Sequence, residues 1–193
     1  LGDVYKRQLG SNAASMGVGN SRVGSLTGMR CMIAAEPTPP WGQLLALPKT
    51  RCFIDTNILV YADSTDEPHK QRIAIDVLRH LRFQRLGVLS TQVLNEYIQV
   101  GLRKLGLPHS HVRAQLQCYR QMDLAGVTPD TIDLALDLHQ KHTLSYWDAL
   151  ILASAHISGC AVLLTEDMGT GATLAGVQSV SYTHLRAHET VLD

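Results

Sequence analysis

The sequence predicts a three-layer α/β domain in which a short parallel sheet lies between helices. Three observations carry this expectation. The apolar runs Cys52-Phe53-Ile54, Gly87-Val88-Leu89 and Ala161-Val162-Leu163-Leu164 have the length and unbroken hydrophobicity of strands buried on both faces. Between them stand stretches whose apolar residues recur at helical spacing. A composition that is 45% hydrophobic and 18% charged, over 193 residues, suits one globular domain with a substantial core.

Residues 1–50 show no sustained helical or alternating period. They carry a Gly/Ser/Asn-rich piece from 10 to 28 and Pro37, Pro39, Pro40 and Pro48, and they read as a non-core segment. The end pieces LGDVYKRQ and SYTHLRAHETVLD resemble translated adaptor scars at the ends of assembled reading frames. A domain over 51–180 is therefore expected, with part of 1–50 and all of 181–193 foreign to it.

The first strand, 52–54, ends at Asp55, and a helix should follow. Ile73, Val77, Leu78 and Leu81 fall at helical spacing before the second strand at 87–89. That strand-helix-strand unit should cross over right-handed. Ser90 or Thr91 can cap a helix with Leu94, Ile98, Leu102 and Leu105 on its inner face and Gly106 as its stop. A further helix carries Val112, Leu116 and Tyr119. Thr128-Pro129 supplies a cap and a first-turn proline for a helix with Ile132, Ala135 and Leu136 inside. Ser145 opens the next helix, which runs through 148–152 to Gly159. The run 161–164 is the clearest buried strand, and 177–180 adds a short last one.

Composition also bounds function. No stretch approaches the eighteen or more apolar residues of a membrane span, the best run being 149–155, and the N-terminal part lacks the pattern of a secretory signal. A soluble, cytoplasmic protein is expected. Cys31, Cys52, Cys118 and Cys160 form no C-x-x-C pair, which favours packed, reduced thiols over a zinc or redox site. Formal charge is zero overall, and residues 51–180 hold 11 Lys and Arg against 13 Asp and Glu. Bulk charge therefore does not advertise a nucleic-acid partner.

The chemistry lies in the acids. In a parallel α/β sheet ligands collect beyond the carboxyl ends of the strands, where Asp55 and Asp167 each follow a strand. Glu96 stands early in the helix leaving the second strand, and Asp148 in the first turn of the helix leading to the later one, so all four can face one edge. At about 4 Å and an effective dielectric near 20, each like-charge pair costs roughly 4 kcal/mol. Protonation or a cation must offset that repulsion. Oxygen donors without neighbouring histidine or cysteine suit Mg2+ or Mn2+, which can activate water and neutralise a phosphodiester transition state.

Four segments, F-I-D-T-N at 53–57, S-T-Q-V-L-N-E at 90–96, S-Y-W-D-A-L-I at 145–151 and L-T-E-D at 164–167, resemble in order and spacing the PIN-domain family, and within it the VapC-like toxin ribonucleases. The resemblance covers 51–180. It implies a five-stranded parallel sheet and a metal-dependent endoribonuclease acting on RNA, with Asp55 and Asp148 as principal ligands of Mg2+ or Mn2+ and Glu96 and Asp167 completing the cluster. Thr56 and Asn57 would organise the first turn. It also implies a homodimer and a cognate antitoxin encoded alongside, and the absence of a long apolar run adds the expectation of no membrane association.

Simpler readings stand beside these. Asp55 can cap the helix after its strand, and Ser145-x-x-Asp148 itself fits a capping box. Glu96 can be a solvated helix residue and Asp167 a turn residue. Asp63, Asp66 and Glu67 read as solvated loop residues. Arg79, Arg82 and Arg85 approximate a basic stripe, more simply the wet face of a helix. His109 and His111 lack partners for zinc. Tyr146 and Trp147 can stack a base or bury against the sheet. Two competing functions remain: a phosphotransferase with Asp55 as nucleophile, disfavoured because Asp55-Thr56-Asn57 lacks a second Asp, and a PIN domain that binds RNA or protein without cleavage.

Overall fold

The computed structural model describes residues 33, 49–169 and 171–184. Strand β1 (Cys52–Ile54) is buried along its whole length and lies mid-sheet, parallel to β2 (Gly87–Ser90) on one side and β4 (Val162–Thr165) on the other. With β3 (Asp123–Ala125), β5 (Thr173–Leu174) and β6 (Val177–Ser181), the order is β3-β2-β1-β4-β6-β5. Five strands are parallel, as expected, and the two-residue β5 adds an antiparallel edge against β6. Neither β3 nor β5 has an apolar run, and both are largely exposed, so hydrophobic patterning carries no sign of them.

From β1 the chain builds outward to β2 and β3 in one direction, then returns beside β1 to build β4 and β6 in the other. The order reverses between β1 and β4, and such a reversal opens a crevice at the carboxyl ends of the strands. Close packing around β2 requires its glycine. A Cβ on Gly87 would stand 3.0 Å from Met122 Sδ and 3.2 Å from both Ile54 Cδ1 and Leu81 Cβ.

Helices α1 (Thr56–Asp63), α2 (Pro68–Phe83) and α3 (Thr91–Arg103) pack around α1, with α4 (His109–Tyr119) against α3; α5 (Pro129–His142) pairs with α6 (Tyr146–Ile157), which lies across β2, β4 and β6. The caps are those read from sequence. Ser90 accepts from Val93 N at 3.2 Å, Thr128 forms a capping box with Thr131 ahead of Pro129, and Ser145 opens α6. No helix of the described residues is long and apolar enough to cross a membrane.

Several expectations are corrected. The buried face of α3 carries Val93, Tyr97, Val100 and Gly101, while Leu94, Ile98 and Leu102 are only partly buried. In α5, Ala135 and Leu138 face inward, and Ile132 and Leu136 are 38% and 50% exposed. Both helices carry more apolar residues than one stripe can hold, so period alone leaves the phase ambiguous. Asp63 is no loop residue: it closes α1, is buried, and accepts from Tyr97 Oη (2.6 Å) and Gln115 Nε2 (3.0 Å), with His111 Nε2 at 2.7 Å. Arg85 lies past the end of α2 with φ +56°, which breaks the proposed arginine stripe. Cys52 and Cys160 are free and buried, whereas Cys118 is disulfide-bonded.

The described structure also reaches past the expected domain boundaries. Strand β6 ends at Ser181, and Tyr182, first residue of a 3-10 helix (Tyr182–His184), is fully buried. Ile33, inside the segment expected to be non-core, is fully buried as well. The end piece LGDVYKRQ lies outside the described residues.

Candidate active site

Asp55 leaves β1 and caps α1, its side chain accepting from Thr56 N at 2.6 Å. A strand end feeding a helix start explains the location, because the first backbone donors of α1 need an acceptor. Thr165 Oγ1, at the end of β4, donates to Asp55 Oδ2 at 2.6 Å, and Asn57 Nδ2 donates to the same oxygen at 3.1 Å. Burial pushes the Asp55 carboxyl up to about 7 from an ordinary 3.8; the Thr165 and Thr56 hydrogen bonds oppose the rise, and Asp167 and Glu96 add to it.

Asp167 follows β4 on the adjacent strand end. Its Oδ2 accepts from Asn57 Nδ2 at 3.1 Å and its backbone N–H donates to Thr165 Oγ1 at 3.2 Å. Its carboxyl is also raised, first by desolvation and then by Glu166 and Asp148, against the lowering effects of the Asn57 hydrogen bond and Lys70. Glu96, in the second turn of α3, accepts from Thr56 Oγ1 at 2.7 Å and from Gln92 Nε2 at 3.0 Å. Asp148, in the first turn of α6, accepts from Ser145 Oγ at 2.7 Å, and its N–H donates back to that hydroxyl at 3.1 Å. Half of the capping-box reading is thus met: Ser145 caps the Asp148 N–H, while the Asp148 carboxylate takes the serine hydroxyl rather than its backbone N–H.

One cavity is lined by all four expected acids, Asp55, Glu96, Asp148 and Asp167, by Thr56 and Asn57, and by a fifth acid, Glu166. The topology brings together residues as far apart in sequence as 55 and 167. Of the cationic side chains, Lys104 lines the cavity, and Lys70 holds Glu166 at 2.7 Å from outside the lining. Among the described residues, no three His, Cys, Asp or Glu side chains stand in a ready metal-binding group. Three of the four expected acids are instead hydrogen-bonded to side-chain hydroxyls, and Asp167 to the Asn57 amide.

Thr165, Gln92, Lys70 and Glu166 were not anticipated at the site. Thr165 and Glu166 lie inside the L-T-E-D segment, which holds the only signal for them. Gln92 stands one turn before Glu96 on α3, and Lys70 carries no sequence mark of its role. His109 and His111 do not enter the cavity, whereas Trp147, the residue before Asp148, does.

The family model described as PIN domain matches residues 52–169. Among solved structures, a toxin-antitoxin complex from Klebsiella pneumoniae is 23% identical, with a TM-score of 0.51 over 68% of this chain and 97% of that one. Mycobacterium tuberculosis VapC20, described as a Sarcin-Ricin loop cleaving toxin, is 19% identical, with a TM-score of 0.47 over 58% and 86% of the two chains. The protein PAE2754 from Pyrobaculum aerophilum is 18% identical, with a TM-score of 0.48 over 71% and 88%. No curated protein matches the chain. The family match spans more than half of the 193 residues and contains every acid of the cavity, so the chain belongs to the PIN-domain family.

Proposed function

We propose that this protein is a divalent-metal-dependent endoribonuclease that hydrolyses RNA phosphodiester bonds, and that it is the toxin of a toxin-antitoxin pair. The observation that carries the reading is the meeting of Asp55, Glu96, Asp148 and Asp167 in one cavity, with burial raising Asp55 to about 7. Such a concentration of carboxylates is stable around a cation or when protonated, and at neutral pH a cation is the economical answer.

The donor types in the cavity suit Mg2+ or Mn2+, although the carboxylates, among the described residues, are not gathered in a ready binding group. The cavity's acids offer oxygen donors alone, the preference of hard divalent ions, and Asn57 Oδ1 is buried without a hydrogen-bond partner. Asp55 and Asp148 would be the principal ligands, with Glu96 and Asp167 completing the set directly or through water. Bound there, the ion would supply Lewis acidity to a phosphodiester and its attacking water. The chain's own residues do the rest. Thr56 and Gln92 orient Glu96, Asn57 spaces Asp55 from Asp167, and Thr165 fixes the Asp55 oxygen that faces β4.

The test uses the purified full chain with structured RNAs and Mg2+, Mn2+ or EDTA. Chelator-sensitive fragments are expected, and Asp55→Asn or Asp148→Asn should abolish them without unfolding the protein. Undiminished cutting by both variants sinks the proposal. A second reading, a PIN domain that binds RNA or protein without cleavage, draws on the hydrogen-bonded state of the carboxylates and predicts retarded but intact RNA. A homodimer and a cognate antitoxin belong to the first reading, the latter in keeping with the Klebsiella pneumoniae complex. Sedimentation of the pure protein and co-purification with the product of a neighbouring small reading frame test each.

A further inference from the structure

The lining of the acidic cavity includes apolar side chains that metal chemistry does not use. Val60, Val100 and Ile151, each no more than 7% exposed, line it together with Trp147. Trp147 is the second residue of α6, directly before Asp148, and remains 39% exposed although residues 149–155 of the same helix are buried. Its ring is fixed by a T-shaped contact with Tyr146, centroids 5.6 Å apart and planes at 66°. A divalent ion and a phosphate gain nothing from an indole face and three aliphatic side chains. A nucleotide does, because a phosphate at the carboxylates carries its ribose and base to these side chains.

We infer that Trp147, in a cavity lining shared with Val60, Val100 and Ile151, is a stacking subsite for one unpaired nucleobase of an RNA strand. The inference rests on the nuclease reading for where the phosphate lies. The base must be unpaired, since a paired base is covered on both faces by its neighbours, and proteins read RNA bases where loops, bulges and ends splay them out. Stacking on an aromatic ring accepts any base, so this subsite confers preference for single strands rather than for a sequence. Lys104, at the C-terminal end of α3, lines the same cavity and adds a cation near the strand's backbone. A docked peptide would need a run of pockets at alternate or helical spacing. One aromatic face with a short aliphatic flank is sized for a single planar ring.

The experiment uses the full chain with Trp41→Phe, which leaves Trp147 as the single tryptophan. With Mg2+ present, adenosine 5′-monophosphate should quench its fluorescence saturably and ribose 5-phosphate should not. In cleavage of a single-stranded RNA, Trp147→Ala should raise KM about tenfold with kcat within about twofold, and Trp147→Phe should restore KM, as stacking energies of this kind predict. Absent quenching, equal quenching by ribose 5-phosphate, or an unchanged KM in Trp147→Ala overturns the subsite; a lining that takes peptide instead gives the first result. If the chain cuts no RNA, the nuclease reading fails, and the nucleotide quenching decides the subsite alone.

Discussion

Asp55 serves as helix cap and as the most buried acid of the cavity, and the two roles pull its proton in opposite directions. The backbone N–H of Thr56 and the hydroxyl of Thr165 favour the carboxylate, while burial and the neighbouring acids favour the acid. Burial wins. In the unfolded chain Asp55 releases its proton near 3.8, and in the folded, metal-free protein near 7. Between those values the folded state binds more protons at Asp55, so the stability this group contributes is fully present below about pH 4 and is lost as pH rises through about 7. A shift of this size corresponds to a loss on the order of 4 kcal/mol at most. Melting of the metal-free protein from pH 4 to 8 should show that decline, Asp55→Asn should reduce it to the part that Asp167 contributes, and Mg2+ or Mn2+ should restore stability chiefly at the alkaline end. A flat profile in the wild type would show that Asp55 is not held protonated. The four acids that line the cavity are legible as candidates in the sequence because each sits at a strand end or in an early helical turn. Thr165 and Lys70 could not, since their roles depend on which way a side chain turns.

Among the elements, α1, α3 and α4 are tied by one carboxylate. Asp63 closes α1, Tyr97 reaches it from α3, and Gln115 and His111 from α4; its side chain is wholly removed from solvent. Sequence patterning gave Asp63 to a loop because an acid after an apolar run reads as a helix end facing water. Only the third dimension supplies its three partners. The same limit explains the misplaced faces of α3 and α5, where the partly buried Leu94 and Ile98 and the exposed Ile132 and Leu136 compete with the inner face in the sequence pattern. Because α1 and α3 also carry Thr56, Asn57 and Glu96, the Asp63 tie sets the frame beneath the cavity. Asp63→Ala leaves buried donors of Tyr97 and Gln115 without their acceptor and should cost roughly 2–4 kcal/mol. Tyr97→Phe, which removes one bond, should cost roughly 1–3 kcal/mol. Urea denaturation measures both, and a wild-type midpoint for Asp63→Ala would contradict the tie.

For the whole molecule, the sheet reversal between β1 and β4 makes the site, and it was legible because the three central strands are short, unbroken apolar runs. The edges were not. Strands β3 and β5 hold their places through pairing rather than burial, and the tail's sequence resembles a foreign scar. Tyr182 bears on that last point. Its ring is fully buried, 6.1 Å from that of Tyr61, which lines the cavity, so the segment after β6 closes part of the core beneath the site. Removing a large aromatic from such a position leaves a cavity that costs roughly 3–5 kcal/mol. A chain ending at Val180 should therefore melt well below one ending at His184, and Tyr182→Ala in the full chain should reproduce most of the loss. The hydroxyl contributes nothing, since Tyr182 Oη is buried without a hydrogen-bond partner. Tyr182→Phe should consequently be neutral or stabilising, because it deletes an unsatisfied polar atom and keeps the ring. Equal melting of the two truncations would place the tail outside the fold, as its sequence alone implies, and a large loss in Tyr182→Phe would mean that the hydroxyl has a partner.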